Sequence, residues 1–406
     1  MSQNIVIIGG GAGGIATAAS LQKRDRTLNI RIIEPQSEHY YQPGWTMVGG
    51  GIFKNSDTVR PTVSLIPNNV TWIQAAVMSF QPDQNQVMLE SGEVIDYDLL
   101  VVSPGLQLDW NKIDGLEETL GQNGVTSNYR YDLAPYTWEL VQQLKSGTAL
   151  FTQPPMPIKC AGAPQKAMYL SASHWTQQRV INNIDIAFYN AGPVLFGVAD
   201  YIPSLMTYVK KYNADLQFSH NLMAVEGDKQ IALFKGVDAD GNETTIERQF
   251  DMLHVCPPQS SPDFIKSSPL ANEGGWLDVN QNSLQHTRYA NIFGLGDCVS
   301  TPNAKTAGAV RQQAPLVAEN IIRQLSARPV LNSYSGYGSC PLTVEHGKIV
   351  LAEFSYGGKV TPTFPTWLLN GLIPTRLAWF LKTTVLPYVY FDHMLKGKEF
   401  LAKPKP

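Results

Sequence analysis

"NIVIIGGGAGGIATAASL", residues 4–21, decides the fold. A strand pattern from Asn4 to Ile8 runs straight into Gly9, Gly11 and Gly14 in G-x-G-x-x-G spacing, and an alanine-rich helical pattern follows. Further on, "NIRIIE" (29–34) reads as a second buried strand that ends on Glu34, twenty residues beyond Gly14. Strand, glycine turn, helix and distant acid together predict a dinucleotide site. The glycines admit a pyrophosphate, the helix N-terminus offers it free N–H groups, and the carboxylate accepts from ribose hydroxyls. A glycine-rich turn with Glu34 merely closing a strand is the alternative, and two later stretches count against it. "YDLLVVSPGLQLDW" (97–110) reads as a buried strand leaving at Pro104 and Gly105. "NIFGLGDCV" (291–299) reads as a strand ending at Gly296 and Asp297, with the helical "KTAGAVRQQAPLVAENIIRQL" beyond it.

The residues between those two stretches form an insert. Within it "GTALFTQ" (147–153), "NIDIAFYN" (183–190) and "DMLHVCPP" (251–258) read as buried strands. "QKAMYLSASHWTQQ" (165–178) and "YIPSLMTYVKKY" (201–212) read as helices, and "KGVDADGNETTI" (235–246) as a hairpin. The expected fold class is therefore α/β with two Rossmann-like, doubly wound domains. The first is assembled from 1–110 and 281–328, the second from 111–280, and 329–406 follows as a C-terminal region. A nicotinamide-binding copy would repeat G-x-G-x-x-G at a strand-to-helix turn of the insert, but those turns are "PPMPIKCAGAP" and "AGPVLFGVADY". The second keeps Gly192 and Gly197, yet Pro193 removes a backbone donor and its neighbours are bulky, so the electron donor is expected not to be a nicotinamide.

A chain of 406 residues with 43% hydrophobic and 16% charged residues is a folded protein of more than one domain. Its net charge of -3, with no basic run in the body, argues against a nucleic-acid partner. A strand that starts at residue 4 leaves no room for a cleavable leader, which predicts a protein kept in the cytosol. The histidines His39, His220, His286 and His346 stand alone, so no metal site is expected, and there is no G-x-S-x-G serine elbow.

Cys160, Cys256, Cys298 and Cys340 form no C-x-x-C pair. Cys160 lies near the start of a predicted helix, with Lys159 and Lys166 close in sequence, where helix dipole and cations favour a thiolate. Its loop, with Pro154, Pro155 and Pro157, is a poor place for a merely packing cysteine. Cys340, in the turn-like "GYGSCPLTV", is left open between a reactive and a packing role, while Cys256 and Cys298 read as structural.

The end of the chain differs from the rest. Residues 364–406 carry a net charge of +4 against -7 for the remainder. "FPTWLLNGLIPTRLAWFLKTTVLPYVYFDHMLKGKEF" (364–400) is aromatic, apolar and cationic, and Pro374 and Pro387 are expected to break it into short helices. Such a segment suits a headgroup region better than a span, with a dimer interface or a lid as the alternative.

On these residues the chain resembles the sulfide:quinone oxidoreductases, in the branch that includes the mitochondrial enzyme. The resemblance covers nearly the whole chain and rests above all on "HYYQPGWTMVGGG" and "KCAGAPQK", with "RPTVSLIPNNV", "DMLHVCPPQSSPD", "FGLGDC", "TAGAV" and "SCPL". It implies FAD in the first domain and a C-terminal region that lies on a membrane and admits quinone. Gly9, Gly11, Gly14, Glu34, Gly105 and Asp297 would be the cofactor contacts. Other branches carry a further cysteine upstream of Cys160 that this chain lacks, so the FAD is expected to be non-covalent. Cys160 and Cys340 would be the redox pair, assisted by Lys166, Lys382 and Glu118. Hydrosulfide would open a Cys160–Cys340 disulfide, leaving a persulfide on Cys340 and a thiolate on Cys160. Two electrons would pass through FAD to a membrane quinone, and the sulfane sulfur would leave to a small-molecule acceptor or as polysulfide. The expected location is peripheral, on the cytoplasmic face of the inner membrane, with a homo-oligomer left open. Two rivals stand beside this reading: a type II NADH:quinone oxidoreductase, which needs the absent nicotinamide loop, and a flavin redox sensor, which turnover would separate.

Overall fold

The computed structural model describes residues 3–237 and 241–404. The strand before the glycine turn, β1 (Asn4–Ile8), lies in the middle of a five-stranded sheet, with Leu99–Val102 and then Ile292–Gly294 on one side and Asn29–Ile33 and then Val70–Ile73 on the other. All four pairings are parallel, so the carboxyl ends of the strands share one edge. Helix α1 (Ala12–Arg24) follows the turn and buries Ile15, Ala18 and Leu21 against Ile5 and Ile7. Each fully buried isoleucine or leucine is worth roughly 1.5–3 kcal/mol.

The turn that joins β1 to α1 has no room for side chains at two points. Gly9 takes φ +98°, and a methyl group there would lie 2.6 Å from Ser103 O. One at Gly14 would lie 1.9 Å from Gly9 O. These contacts press the helix N-terminus onto the end of the strand, which is what lets backbone face a ligand directly.

A second parallel sheet of five strands is centred on β2 (Gly147–Gln153) and ordered Val125–Thr126, Met252–His254, β2, Ile184–Asn190, Asp215–Phe218. Its crossover helix α2 (Ala163–Gln177) is buried along nearly its whole length, with Met168, Tyr169 and Trp175 fully enclosed. The strands and helices lie within a residue or two of the apolar runs that predict them, except that Met252–His254 takes only the middle of its run. The strands of the expected hairpin pair antiparallel, while residues 238–240 at its tip lie outside the described residues.

Helix α3 (Ala307–Leu325) returns to the first sheet beside α1, and the antiparallel pair β3 (Gly338–Glu345) and β4 (Lys348–Ser355) then packs against α2. Cys340 is thus a buried strand residue and not the turn residue that its glycine and proline neighbours suggest. The C-terminal segment also departs from expectation. Residues 376–394 run on as one helical stretch, passing from α-helix into π-turns at Leu381–Val385 and Val389–Met394. Pro387 lies between the two π-turns, whose wider register absorbs the missing N–H and the ring that would clash in a regular α-helix. Among the described residues no helix is long and apolar enough to cross a membrane.

The Gly14→Ala substitution should lower stability by about 3 kcal/mol or more, because backbone must move to admit the methyl group. Chemical unfolding of the cofactor-free protein should show it, and an unchanged midpoint would contradict the packing described.

Candidate active site

The carboxyl end of β2 leads into the proline-rich loop 154–162, which is pinned at its far end. Lys159 N–H donates to Gln259 Oε1 (2.7 Å), Cys160 N–H donates to Lys305 O (2.8 Å), and the Cys160 carbonyl accepts from Ala163 N–H (2.7 Å). Cys160 itself takes φ +49°, a left-handed conformation that a β-carbon disfavours and that the surrounding bonds enforce. Its side chain meets Cys340, delivered by β3, with the two sulfurs 3.5 Å apart. Gly162 makes this approach feasible, since a methyl group there would sit 2.7 Å from Cys340 Sγ.

Lys166, one turn into α2, is the third member. It is 3% exposed and its Nζ lies 3.2 Å from Cys160 Sγ and 3.9 Å from Cys340 Sγ. Cys340 donates its S–H to Cys160 and the Lys166 ammonium adds its charge, and together they overcome burial and hold Cys160 well below the usual thiol range. Cys340 is pushed up by the same bond and by burial. The pair therefore carries one thiolate, on Cys160, and one thiol. Burial works against the charge on Lys166, but Cys160 and Cys340 raise its pKa above the ordinary lysine value.

A second buried amine lies nearby. Lys382, on the first π-turn, is 3% exposed and donates to Pro43 O at 2.7 Å. Burial and the repulsion of Lys166 bring it down to about 7. Lys159, adjacent to Cys160, turns away from the thiols to donate to Gln42 Oε1 (2.7 Å), and burial brings it to about 8.

The structure thus brings together Cys160, Cys340 and Lys166 and sets Lys382 beside them. It does not bring Glu118 there: that residue is exposed on a one-turn helix, Leu116–Thr119, and its carboxylate makes no hydrogen bond to the site. Burial pushes Cys256 and Cys298 up to about 12, so both stay protonated in the core. Three supporting residues carry no signal in the sequence, because their partners are remote in the chain. Tyr129 donates toward the carbonyls of Lys159 (3.2 Å) and Cys160 (3.4 Å). Lys305 Nζ donates to Asp297 O (2.6 Å) and Val299 O (3.0 Å). His39 bridges Gly10 O (3.1 Å) and Tyr390 Oη (2.8 Å).

The first sheet offers a cradle for a dinucleotide. Gly11 begins α1 with no side-chain cap, and a methyl group there would meet nothing within 4 Å, so the free N–H groups of the first turn face open space. Glu34 accepts from Gly10 N–H (2.7 Å) and Gln36 N–H (2.8 Å), which aims its carboxylate along the loop with lone pairs left for hydroxyls. Gly105, at φ +82°, is likewise open. Burial raises the Asp297 carboxyl, and no hydrogen bond from the described residues reaches it. Uncapped helix, aimed acid and a half-buried carboxyl that accepts no hydrogen bond from the described residues fit the phosphates, ribose and polar chain of an FAD.

Comparison with known proteins agrees. Residues 3–314 match the family described as pyridine nucleotide-disulphide oxidoreductase. The chain is 41% identical to the mitochondrial sulfide:quinone oxidoreductase of Dictyostelium discoideum, over 98% of this chain and 86% of that protein. It is 39% identical to the mitochondrial sulfide:quinone oxidoreductase of Mus musculus, over 97% of this chain and 86% of that one. Among solved structures, the sulfide:quinone oxidoreductase of Aquifex aeolicus superposes with a TM-score of 0.80 at 22% identity, covering 98% of this chain and 92% of that chain.

Two outcomes follow from the site. In the reduced protein, Lys166→Met should raise the Cys160 pKa and slow its alkylation by iodoacetamide at neutral pH by about tenfold or more; an unchanged rate would remove the ammonium from the account. Gly11→Ala should leave the cofactor-free protein as stable as the parent but weaken FAD retention, read by flavin absorbance after gel filtration.

Proposed function

The chain belongs to the pyridine nucleotide-disulphide oxidoreductase family and, within it, to the sulfide:quinone oxidoreductases, and we propose that its activity runs through Cys160 and Cys340. The enzyme oxidises sulfide and reduces quinone with FAD as its cofactor. When bound, the FAD carries two electrons from the cysteine pair to the quinone. Gly9, Gly11, Gly14, Glu34, Gly105 and Asp297 hold it in this reading.

The observation that carries the proposal is the 3.5 Å approach of a half-buried Cys160 sulfur to a buried Cys340 sulfur beside an ammonium. In the oxidised pair a hydrosulfide anion attacks Cys340 Sγ. A new S–S bond forms there, the Cys160–Cys340 bond breaks, and Cys160 leaves as a thiolate stabilised by Lys166. The sulfide sulfur has then gone from sulfide to sulfane level, and the protein holds the two electrons. A nucleophilic small-molecule acceptor, or a second sulfide, removes the sulfane sulfur from Cys340. Oxidation of the two cysteines back to the disulfide releases the electron pair. Lys382, brought to about 7, can give up a proton when quinone is reduced. Glu118 has no part in this reading, since it is remote and solvated.

We also place the enzyme peripherally on a membrane through its C-terminal stretch, where Trp367 is 83% exposed and Phe380, Tyr388 and Phe400 are each more than half exposed. Such a surface gives a hydrophobic quinone its route to the cofactor. A nicotinamide-driven reading is weaker. At the turn after Ile184–Asn190 the Asn190 side chain occupies Gly192 N–H and Val194 O, and Pro193 has no N–H to offer.

Anaerobic addition of sulfide should bleach the flavin, short-chain quinone should restore it, and NADH should do nothing. Exchanging Cys160 for serine should abolish bleaching with FAD still bound; retained bleaching would sink the assignment. The quinone half-reaction should slow as pH rises through about 7, where Lys382 loses its proton. Lys382→Met should flatten that profile and lower the rate by about a hundredfold, the usual scale of a lost general acid.

A further inference from the structure

At the C-terminal end of α1, away from the glycine turn, a cavity of about 640 Å³ opens between α1, the end of α3 and the final residues of the chain. Its volume falls within the roughly 300–1,000 Å³ of small-ligand clefts. Five cations line it: Lys23 and Arg24 from α1, Arg323 from α3, and Lys398 and Lys403 from the C-terminal segment. Glu319 and Glu399 are the acids among the lining residues, and both are committed. Arg24 holds Glu399 through both carboxylate oxygens and reaches Glu319 at 3.3 Å, Ser20 donates to Glu399 at 3.0 Å, and Arg323 approaches Glu319 at 3.8 Å. This clasp is rigid. Gly397, at φ +61°, lies so close to α1 that a methyl group would stand 2.6 Å from the Ala19 carbonyl carbon.

With both acids taken by arginines, Lys23, Lys398 and Lys403 have no ion pair among the described residues. Burial and the repulsion of Lys398 both pull Lys23 below its ordinary pKa. Like charges gathered over a cleft, with the local acids already neutralised, are at their lowest energy when an anion bridges them. The lining totals five cations against two acids, which suits a ligand of two or more negative charges. Lys398 and Lys403 also flank Phe400 and Leu401, which are 67% and 55% exposed, so an apolar tail could lie beside the charged head.

We propose that the cleft between Lys23, Lys398 and Lys403 is a binding site for a phosphate-bearing anion, either an anionic lipid headgroup or the same phosphate chemistry free in solution. Arg24 and the two glutamates build the floor, and the three lysines supply the contacts. The site is distinct from the thiol pair and does not depend on the sulfide reaction.

The test uses the full-length, FAD-loaded protein and its Lys23→Gln/Lys398→Gln/Lys403→Gln variant, with melting temperature confirming that the variant is folded. Inorganic pyrophosphate, followed by calorimetry at low salt, should bind the parent at one saturable site and the variant about tenfold or more weakly, the scale of lost charge-assisted bonds. Sedimentation with phosphatidylcholine vesicles, with and without phosphatidic acid, separates the sources. If the parent prefers the acidic vesicles and the variant loses that preference, the headgroup is the ligand. Pyrophosphate binding with no vesicle preference assigns the site to free phosphate compounds. Equal behaviour of parent and variant toward both probes, or no saturable binding of either, overturns the proposal.

Discussion

A single buried ammonium organises the chemistry of this chain. Lys166 stands 3.2 Å from Cys160 Sγ and 3.9 Å from Cys340 Sγ, and without it a thiolate on the half-buried Cys160 would have only the Cys340 S–H to set against desolvation. The converse also holds, because an unpaired Lys166 would be driven neutral. Each charge is the condition for the other. The fold supplies this pairing by placing Lys166 on the first turn of α2, Cys160 in the loop just before it and Cys340 on the strand packed beneath.

That arrangement explains why the second Rossmann-like unit keeps its sheet and crossover helix without a phosphate turn. In the first unit the loop between strand and helix must bring bare backbone to a ligand, and Gly9 and Gly14 have no space for side chains. In the second, the corresponding loop presents a side chain, so it needs rigidity more than backbone access. Three prolines and the left-handed Cys160 provide it, held by the carbonyl of Lys305 and the amide of Gln259. In the proposed reading, one supersecondary plan thus serves a cofactor on one sheet and a nucleophile on the other.

The parallel sheets were legible because their strands are short, continuously apolar and bounded by glycine or proline. "GTALFTQ" coincides with β2, and "NIVII" coincides with β1. The proximity of Lys166 to Cys160 was also readable, since the two are six residues apart across a helix start. Local chemistry misled at Cys340, where flanking glycine and proline resemble a turn but pairing with β4, invisible in a linear pattern, makes a strand. It misled again at Pro387, which occupies a short α-turn between two π-turns without interrupting the helical stretch. Residues such as Tyr129 and Lys305 support Cys160 through backbone carbonyls, and no side-chain pattern records a partnership with backbone across 30 or more positions.

Charge compensation also ties electron movement to proton movement. With the dithiol pair reduced, one thiolate faces two buried amines, and the anion favours Lys166, leaving Lys382 at about 7. Closing the disulfide removes that anion from an enclosed site of low dielectric, where two neighbouring ammonium ions cannot both persist. A proton must then leave as the electrons leave. Lys382 is the amine with the lower proton affinity, and it hangs from the helical stretch 376–394 that also carries the exposed aromatic surface. In the proposed reaction, closing the disulfide frees the Cys340 S–H proton with the electron pair, and the loss of the anion favours release of a second proton from Lys382, on the side of the site that belongs to the C-terminal segment through which quinone is proposed to arrive.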